Sequence, residues 1–315
     1  MESPSTPYSP SAPSRPHRWV WLAAGAAATV FLMVFYRPFD WREVGAQLAR
    51  ARGGWMLAAI AANGVILISW TALWRQFLPS AVRVSWGRMW EIVTLSAAGM
   101  NTLPFMSGHA LSIGLLAKRG GTGLEVAVTV MTLDQLCEGL CKVALLSLAV
   151  TVAPLPDGMR RAGWVIGATI GLLLAALVWL SHRPAAPGRL ARWAAHFEIL
   201  RHPRRWLGGL ALSAGTKLAE AAGIWAAQRA CGVELPPATL VVVLAAVNVA
   251  TMISVLPGSL GVYETAAVAA YLLLGVPADR ALALAFVQHA GFLAPLIVPG
   301  YALTAWRGLT RPSAA

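Results

Sequence analysis

The sequence predicts an all-α polytopic membrane protein, with about six full spans plus two re-entrant helical hairpins that form an inverted repeat. Three observations predict it. Hydrophobic residues make up 57% of the chain and charged residues 12%, with a mean hydropathy of +0.63; an ordinary soluble domain carries about 25% charged residues. The apolar residues fall into runs close to the roughly 20 residues that a bilayer crossing needs. A weak internal repeat, offset by 153 residues, sets Leu103-Pro104, Gly108 and Gln135 against Leu256-Pro257, Gly261 and Gln288.

Taken in order, residues 1–18 are rich in Pro and Ser and predict a disordered N-terminal tail. Trp19 to Tyr36 is an apolar run without a small-residue cleavage site after it, which reads as a retained span and not a signal peptide. Between Phe39 and Arg52, Val44 and Leu48 stand at i, i+4 among polar residues, the pattern of a short interfacial helix. Full spans follow at Trp55 to Leu73, Leu124 to Ala153, Gly163 to Leu180, Trp206 to Ala230 and Arg280 to Leu303, and residues 306–315 form a short tail.

Two apolar regions, Trp90 to Leu116 and Ala238 to Leu274, are interrupted by NTLPFMSG and LPGSLG. Each leg is then too short to cross comfortably. Both read as re-entrant hairpins, which persist at membrane depth only where protein or a water-filled cavity satisfies the freed backbone groups. Paired Gly/Pro-interrupted segments in corresponding halves are the sequence pointer to a transporter binding site.

The net charge of +12 is spread over short segments between apolar runs, so it reads as a topology signal and not as a nucleic-acid footprint. Arg183, Arg189, Arg192, Arg201, Arg204 and Arg205, against the single acid Glu198, place the loop from Ser181 to Arg205 in the cytoplasm. Arg15 and Arg18 do the same for the N-terminus, and Arg307 and Arg311 for the C-terminus. Four crossings separate the tail from that loop and two separate the loop from the C-terminus, so the parity closes if neither broken region crosses. Three crossings between the hairpins make the repeat inverted, with both breaks near the midplane. Arginine supplies 22 of the 25 basic residues, a bias that points to a GC-rich bacterial genome.

Cys137 and Cys141, one helical turn apart in an apolar run, and the solitary Cys231 read as small buried hydrophobes, not a disulfide framework. The spacings of metal ligands, nucleotide loops and dinucleotide folds are not seen, so no cofactor or metal is expected.

The residues able to carry chemistry are the polar ones inside apolar runs. Asp134, Glu138 and Lys142, at i, i+4 and i+8, share one helix face. Lys217 and Glu220 stand at i, i+3 in the next run but one; Gln288 and His289 lie in the last. Asn248, Thr251 and Ser254 line one side of the leg before the second break. Ionisable groups at bilayer depth mark pathways by default, although structural pairing of Glu138 with Lys142 and polar glue between helices explain them as well. His109 follows Gly108, and Glu264 follows Gly261 by three residues, so each break is trailed by an ionisable group near the start of the outgoing leg. Helix N-termini at such breaks suit anionic groups, and Glu264 also suits its helix dipole.

The stretch Asn101-Thr102-Leu103-Pro104 to Gly108, then Lys118-Arg119-Gly120, the acidic helix with Asp134 and Glu138, and the Leu256 to Glu264 segment LPGSLGVYE resemble the flippase-like membrane domain of lysylphosphatidylglycerol synthases and its stand-alone relatives. The resemblance covers about residues 19–305. Its more specific motif is Pro257-Gly258-x-x-Gly261-x-x-Glu264. It implies a bacterial inner-membrane protein that moves lipids between leaflets, with Asn101, Pro104, Gly108, His109, Arg119, Asp134, Glu138, Lys142, Lys217, Glu220, Asn248, Pro257, Gly258, Gly261, Glu264, Gln288 and His289 as candidate substrate contacts. Two departures, His109 where the family usually has an acid and Asp134-Gln135 where it often has Glu-Arg, point to an altered headgroup preference. The segments HPRRW and GVYE are similar to those of the hopanoid-associated branch. The soluble synthase domain is not in the sequence, so lipid aminoacylation is not expected.

The leading expectation is therefore a lipid transporter whose partners are membrane lipids and lipid-biosynthetic enzymes, not nucleic acid. The alternatives are an enzyme on a lipid-linked substrate, with Asp134 and Glu138 as acid/base candidates, and a non-catalytic scaffold of a lipid-modifying complex.

Overall fold

The computed structural model describes residues 29–30, 33–104, 106–152, 157–182, 203–252 and 256–310. The tail at 1–18, the first part of the span predicted from Trp19, and most of the arginine-rich loop lie outside these residues. By contacts the chain divides into Met1–Phe39 and Asp40–Ala315. In the first unit, residues 33–36 are helical and the rings of Phe35 and Tyr36 meet edge-on at 4.9 Å.

The described part of the second unit is built of helices. The interfacial segment is α1, Trp41–Ala49, started by Asp40, whose side chain accepts from the amides of Arg42 and Glu43. Val44 is its buried residue. Three helices are long and apolar enough to cross a membrane: α2 (Gly53–Phe77), α5 (Leu124–Val152) and the first 30 residues of α10 (Ala278–Thr310). Two of them contain the predicted spans at 55–73 and 280–303, and α5 covers the predicted span from Leu124 up to Val152. The predicted spans at 163–180 and 206–230 fall within α6 (Asp157–His182) and α7 (Pro203–Ala230), of 26 and 28 residues. At 1.5 Å per residue both exceed the roughly 30 Å hydrocarbon core.

The interrupted regions are pairs of short helices, α3 (Trp86–Thr102) with α4 (Ser107–Arg119), and α8 (Thr239–Thr251) with α9 (Val262–Leu273). Three of the legs, of 12 or 13 residues, reach only about 20 Å, and α3, of 17 residues, about 25 Å. Proline marks both breaks in the same way: its ring disfavours the helical conformation for the residue before it. Leu103 and Leu256 are accordingly extended, at φ −92°, ψ 142° and φ −84°, ψ 143°. Beyond the proline each chain turns tightly, through Ser107 N–H to the Pro104 carbonyl and Leu260 N–H to the Pro257 carbonyl, and a new helix begins.

The repeated glycines do different work. Gly261 precedes α9 at φ 81° and Gly258 sits in the turn at φ 59°, both in the region that side chains disfavour. Gly108 is already inside α4. A Cβ there would stand 2.5 Å from the Met100 Cα and 2.8 Å from the Gly99 carbonyl oxygen. Its missing side chain lets α4 cross the α3 backbone, so the closeness expected at this glycine is to another helix.

Small residues set the remaining close approaches, as membrane helix packing requires. Gly208, Gly209 and Gly223 of α7 receive Gln76, Phe77 and Asn63 of α2, and Gly300 of α10 lies against Ala98 and the Thr94 carbonyl of α3. Around these contacts Ile66, Trp74 and Phe77 of α2, Met89 and Ile92 of α3, Leu133 of α5 and Leu296 of α10 form a buried core.

Candidate functional site

The turn at Pro257–Ser259 packs on the end of α3: a Cβ on Gly258 would be 3.0 Å from the Asn101 carbonyl oxygen. The tips of the two broken regions therefore touch. Beside this contact lies a cavity of about 180 Å³, walled by α2, α5, α7, α8 and α10 and closed by the two tips. Of the sequence-predicted residues, Asn101, Glu138, Lys142, Lys217, Glu220, Asn248, Gly258, Gln288 and His289 line it.

One wall is a charged network centred on Lys217. Its ammonium donates to Glu138 Oε1 at 2.6 Å, Glu220 Oε1 at 2.7 Å and Asn248 Oδ1 at 2.9 Å, which uses all three of its protons. Asn248 returns a bond from Nδ2 to Glu220 Oε2 at 2.9 Å and donates to the Leu244 carbonyl of its own helix. Lys142 pairs with the same Glu138 oxygen at 3.2 Å. The face expected on α5 thus carries the Glu138–Lys142 pair, but the shorter bond to Glu138 comes from α7. Two carboxylates and two ammonium groups are held together by helices far apart in sequence.

A second wall is aromatic, backed by a Glu264–His289 pair. Glu264 accepts from the Gly261 amide at 2.7 Å, closing the first turn of α9, and its other oxygen meets His289 Nδ1 at 2.7 Å. A carboxylate beside Nδ1 calls for a proton on that nitrogen. The imidazole stacks on the Tyr263 ring at 4.1 Å and 9°. Gln288 Nε2 donates to the Tyr263 hydroxyl at 2.8 Å, and the Tyr271 hydroxyl donates to Gln288 Oε1 at 2.6 Å. Glu264 and Gly261 thus hold the wall in place and do not line the cavity themselves.

Asn63, Trp70, Ser259, Tyr263 and Phe292 also line the cavity and did not stand out in the sequence. Asn63 had a signal. Pro295 has no N–H, so the Gly291 carbonyl four residues earlier loses its helical donor. Asn63 Nδ2 donates to that carbonyl at 3.3 Å and to the Ala59 carbonyl at 2.9 Å. A lone amide in one apolar run and a proline in another are the two ends of that contact. Asn63 Oδ1 and His289 Nε2 are buried without a hydrogen-bond partner among the described residues.

The remaining candidates lie elsewhere. Pro104 shapes the first break, and Gly108 and His109 sit on α4 behind it. Pro257 opens the second break, and its neighbour Gly258 reaches the cavity. Asp134 is buried in α5 with Gln135 Nε2 at 3.3 Å. Arg119 is drawn to Glu91 at 2.8 Å.

The family profile of the lysylphosphatidylglycerol synthase TM region matches residues 20–300, which takes in both breaks and all the cavity walls. The chain belongs to this family. No curated protein matches it. As a member of the lysylphosphatidylglycerol synthase TM family, the protein is a membrane-spanning helical protein involved in lipid handling. The hairpin breaks, the Lys217 network and the Glu264–His289 pair all fall inside the family's extent.

Proposed function

We propose that the protein is a lipid transporter that passes a lipid headgroup between leaflets through the cavity at the two breaks. The observation that carries this reading is the polar cavity itself, closed by two touching hairpin tips inside a largely apolar helix bundle. Broken helices that converge at membrane depth are the usual construction of transporter sites. Asn63 Oδ1 presents a buried acceptor without a partner among the described residues, which suits a phospholipid or hopanoid-type headgroup bearing hydroxyl or amine donors. Lys142 is the cation for an anionic part of the same headgroup, since the Lys217 protons are already taken.

Transport, not lipid chemistry, fits Glu138, whose Oε1 is shared by two ammonium groups and so is poorly placed to pass a proton. No cofactor is invoked. The arginine distribution supports a bacterial inner membrane with both termini in the cytoplasm, where lipid-biosynthetic enzymes would be neighbours.

The test is purified protein in liposomes holding headgroup-labelled lipids, with outer-leaflet label quenched by an impermeant reductant. Faster loss of inner-leaflet label than in empty liposomes is expected, with no new lipid product. A modified lipid without movement would replace transport by catalysis, and neither would leave a scaffold.

A further inference from the structure

A second cluster of charge lies away from the cavity. Glu91 of α3 is half encircled by Arg88 of its own helix at 3.4 Å, Arg119 from the end of α4 at 2.8 Å and Arg307 from the end of α10, which meets both its oxygens at 2.5 Å. One carboxylate balances one guanidinium, so the cluster keeps an excess of two positive charges. The Glu91 side chain is only 11% exposed, while those of Arg88, Arg119 and Arg307 are 50%, 39% and 34% exposed. The excess charge therefore faces outward.

Two open grooves flank the seam between α3 and α10. One, of about 270 Å³, is walled by Leu95, Leu103, Leu111 and Leu115 and includes Arg119. The other, of about 560 Å³, is walled by Trp90, Leu303 and Trp306 and includes Glu91 and Arg307. The seam between them is shut where Gly300 meets Ala98. No described residue lines both these grooves and the polar cavity.

We infer that the α3–α10 seam binds one anionic phospholipid, with its phosphate on the arginines around Glu91 and an acyl chain in each groove. Guanidinium groups match phosphate oxygens in a forked geometry, and basic pockets between membrane helices hold anionic headgroups. Two apolar tracks with an arginine on each side are the imprint of a two-chain lipid. Tryptophans beside the charge suit the level of the headgroups. The site stands whether or not the cavity transports anything.

Delipidated protein in detergent tests it, read by native mass spectrometry and thermal stability with dioleoyl phosphatidylglycerol, dioleoyl phosphatidylcholine, lyso-phosphatidylglycerol or inorganic phosphate as probes. One phosphatidylglycerol should be retained and should raise the melting temperature, with the phosphatidylcholine and one-chain lipids at least several-fold weaker. The R88Q/R119Q variant should weaken phosphatidylglycerol binding at least tenfold, since each arginine contributes about fivefold. E91Q should bind it at least as tightly as the native protein, because the excess charge rises. Equal binding of both diacyl lipids, native-like binding by R88Q/R119Q, or parallel loss in E91Q and R88Q/R119Q would reduce the cluster to a staple between helices. Full displacement by millimolar inorganic phosphate would make it a free-anion site, and equal binding of the lyso lipid would remove the two-track reading.

Discussion

Lys217 uses every ammonium proton on groups from three helices, and its removal leaves Glu138 with Lys142 and Glu220 with Asn248 as their remaining partners among the described residues. Breaking a buried pair from one side costs about 3–5 kcal/mol. Lys217→Ala should accordingly lower the unfolding midpoint in detergent far more than Asp134→Asn, whose carboxylate accepts from Gln135 at 3.3 Å and belongs to no such network; a comparable loss in both would remove the network from the centre of the fold. In the liposome assay, Glu138→Ala should slow label movement more than Asp134→Ala, because Glu138 lines the cavity and Asp134 does not. A normal rate in Glu138→Ala at normal expression would reduce that face to packing. Glycine offers a sharper contrast. Gly114 has open space where a side chain would go, whereas Gly108 has the α3 backbone. Gly114→Ala should hold or raise thermal stability, by about 0.5–1 kcal/mol in the helix interior, and Gly108→Ala should lower it.

At the level of elements, the two breaks are legible in the sequence because proline acts locally on the residue before it, although α10 runs on through Pro295 and Pro299. That is why Leu103 and Leu256 take nearly the same backbone angles 153 residues apart. The partner of each polar side chain is not local. Glu138 reads most naturally with Lys142, one turn along α5, yet Lys217, 79 residues away, comes closer. Arg119 reads as a substrate contact in the stretch Lys118-Arg119-Gly120, and the crossing of α3 and α4 carries it to Glu91 instead. Spacing within a helix tells which residues share a face; which helix meets that face depends on glycine contacts that no single segment contains. The touching tips give a direct measurement. Cysteines at Asn101 and Ser259 should crosslink with a short reagent, while a pair at Ser107 and Ser259 should react more slowly, since Ser107 does not line the cavity. Failure of the first pair under every transport condition would separate the hairpins.

For the whole molecule, class and family are readable from composition and motifs, and the described helices contain four of the five predicted spans from Trp55 onward and the fifth up to Val152. A reporter active only in the cytoplasm should be active when fused after Arg307 and when inserted near Arg201, and activity on opposite sides would break the even count of crossings. One feature of α10 bears on how such a bundle moves. Pro295 and Pro299 both lack N–H groups, so the carbonyls of Gly291 and Pro295 have no donor from their own helix, and the first is served across the bundle by Asn63. The rod carrying Gln288 and His289 toward one end and Arg307 toward the other is thus missing two rungs in between. Flexing it there ruptures fewer bonds than elsewhere along its length, which makes this level a mechanical joint. Tilting the histidine end would leave the arginine end anchored, and α2 would register the movement as tension on a single amide.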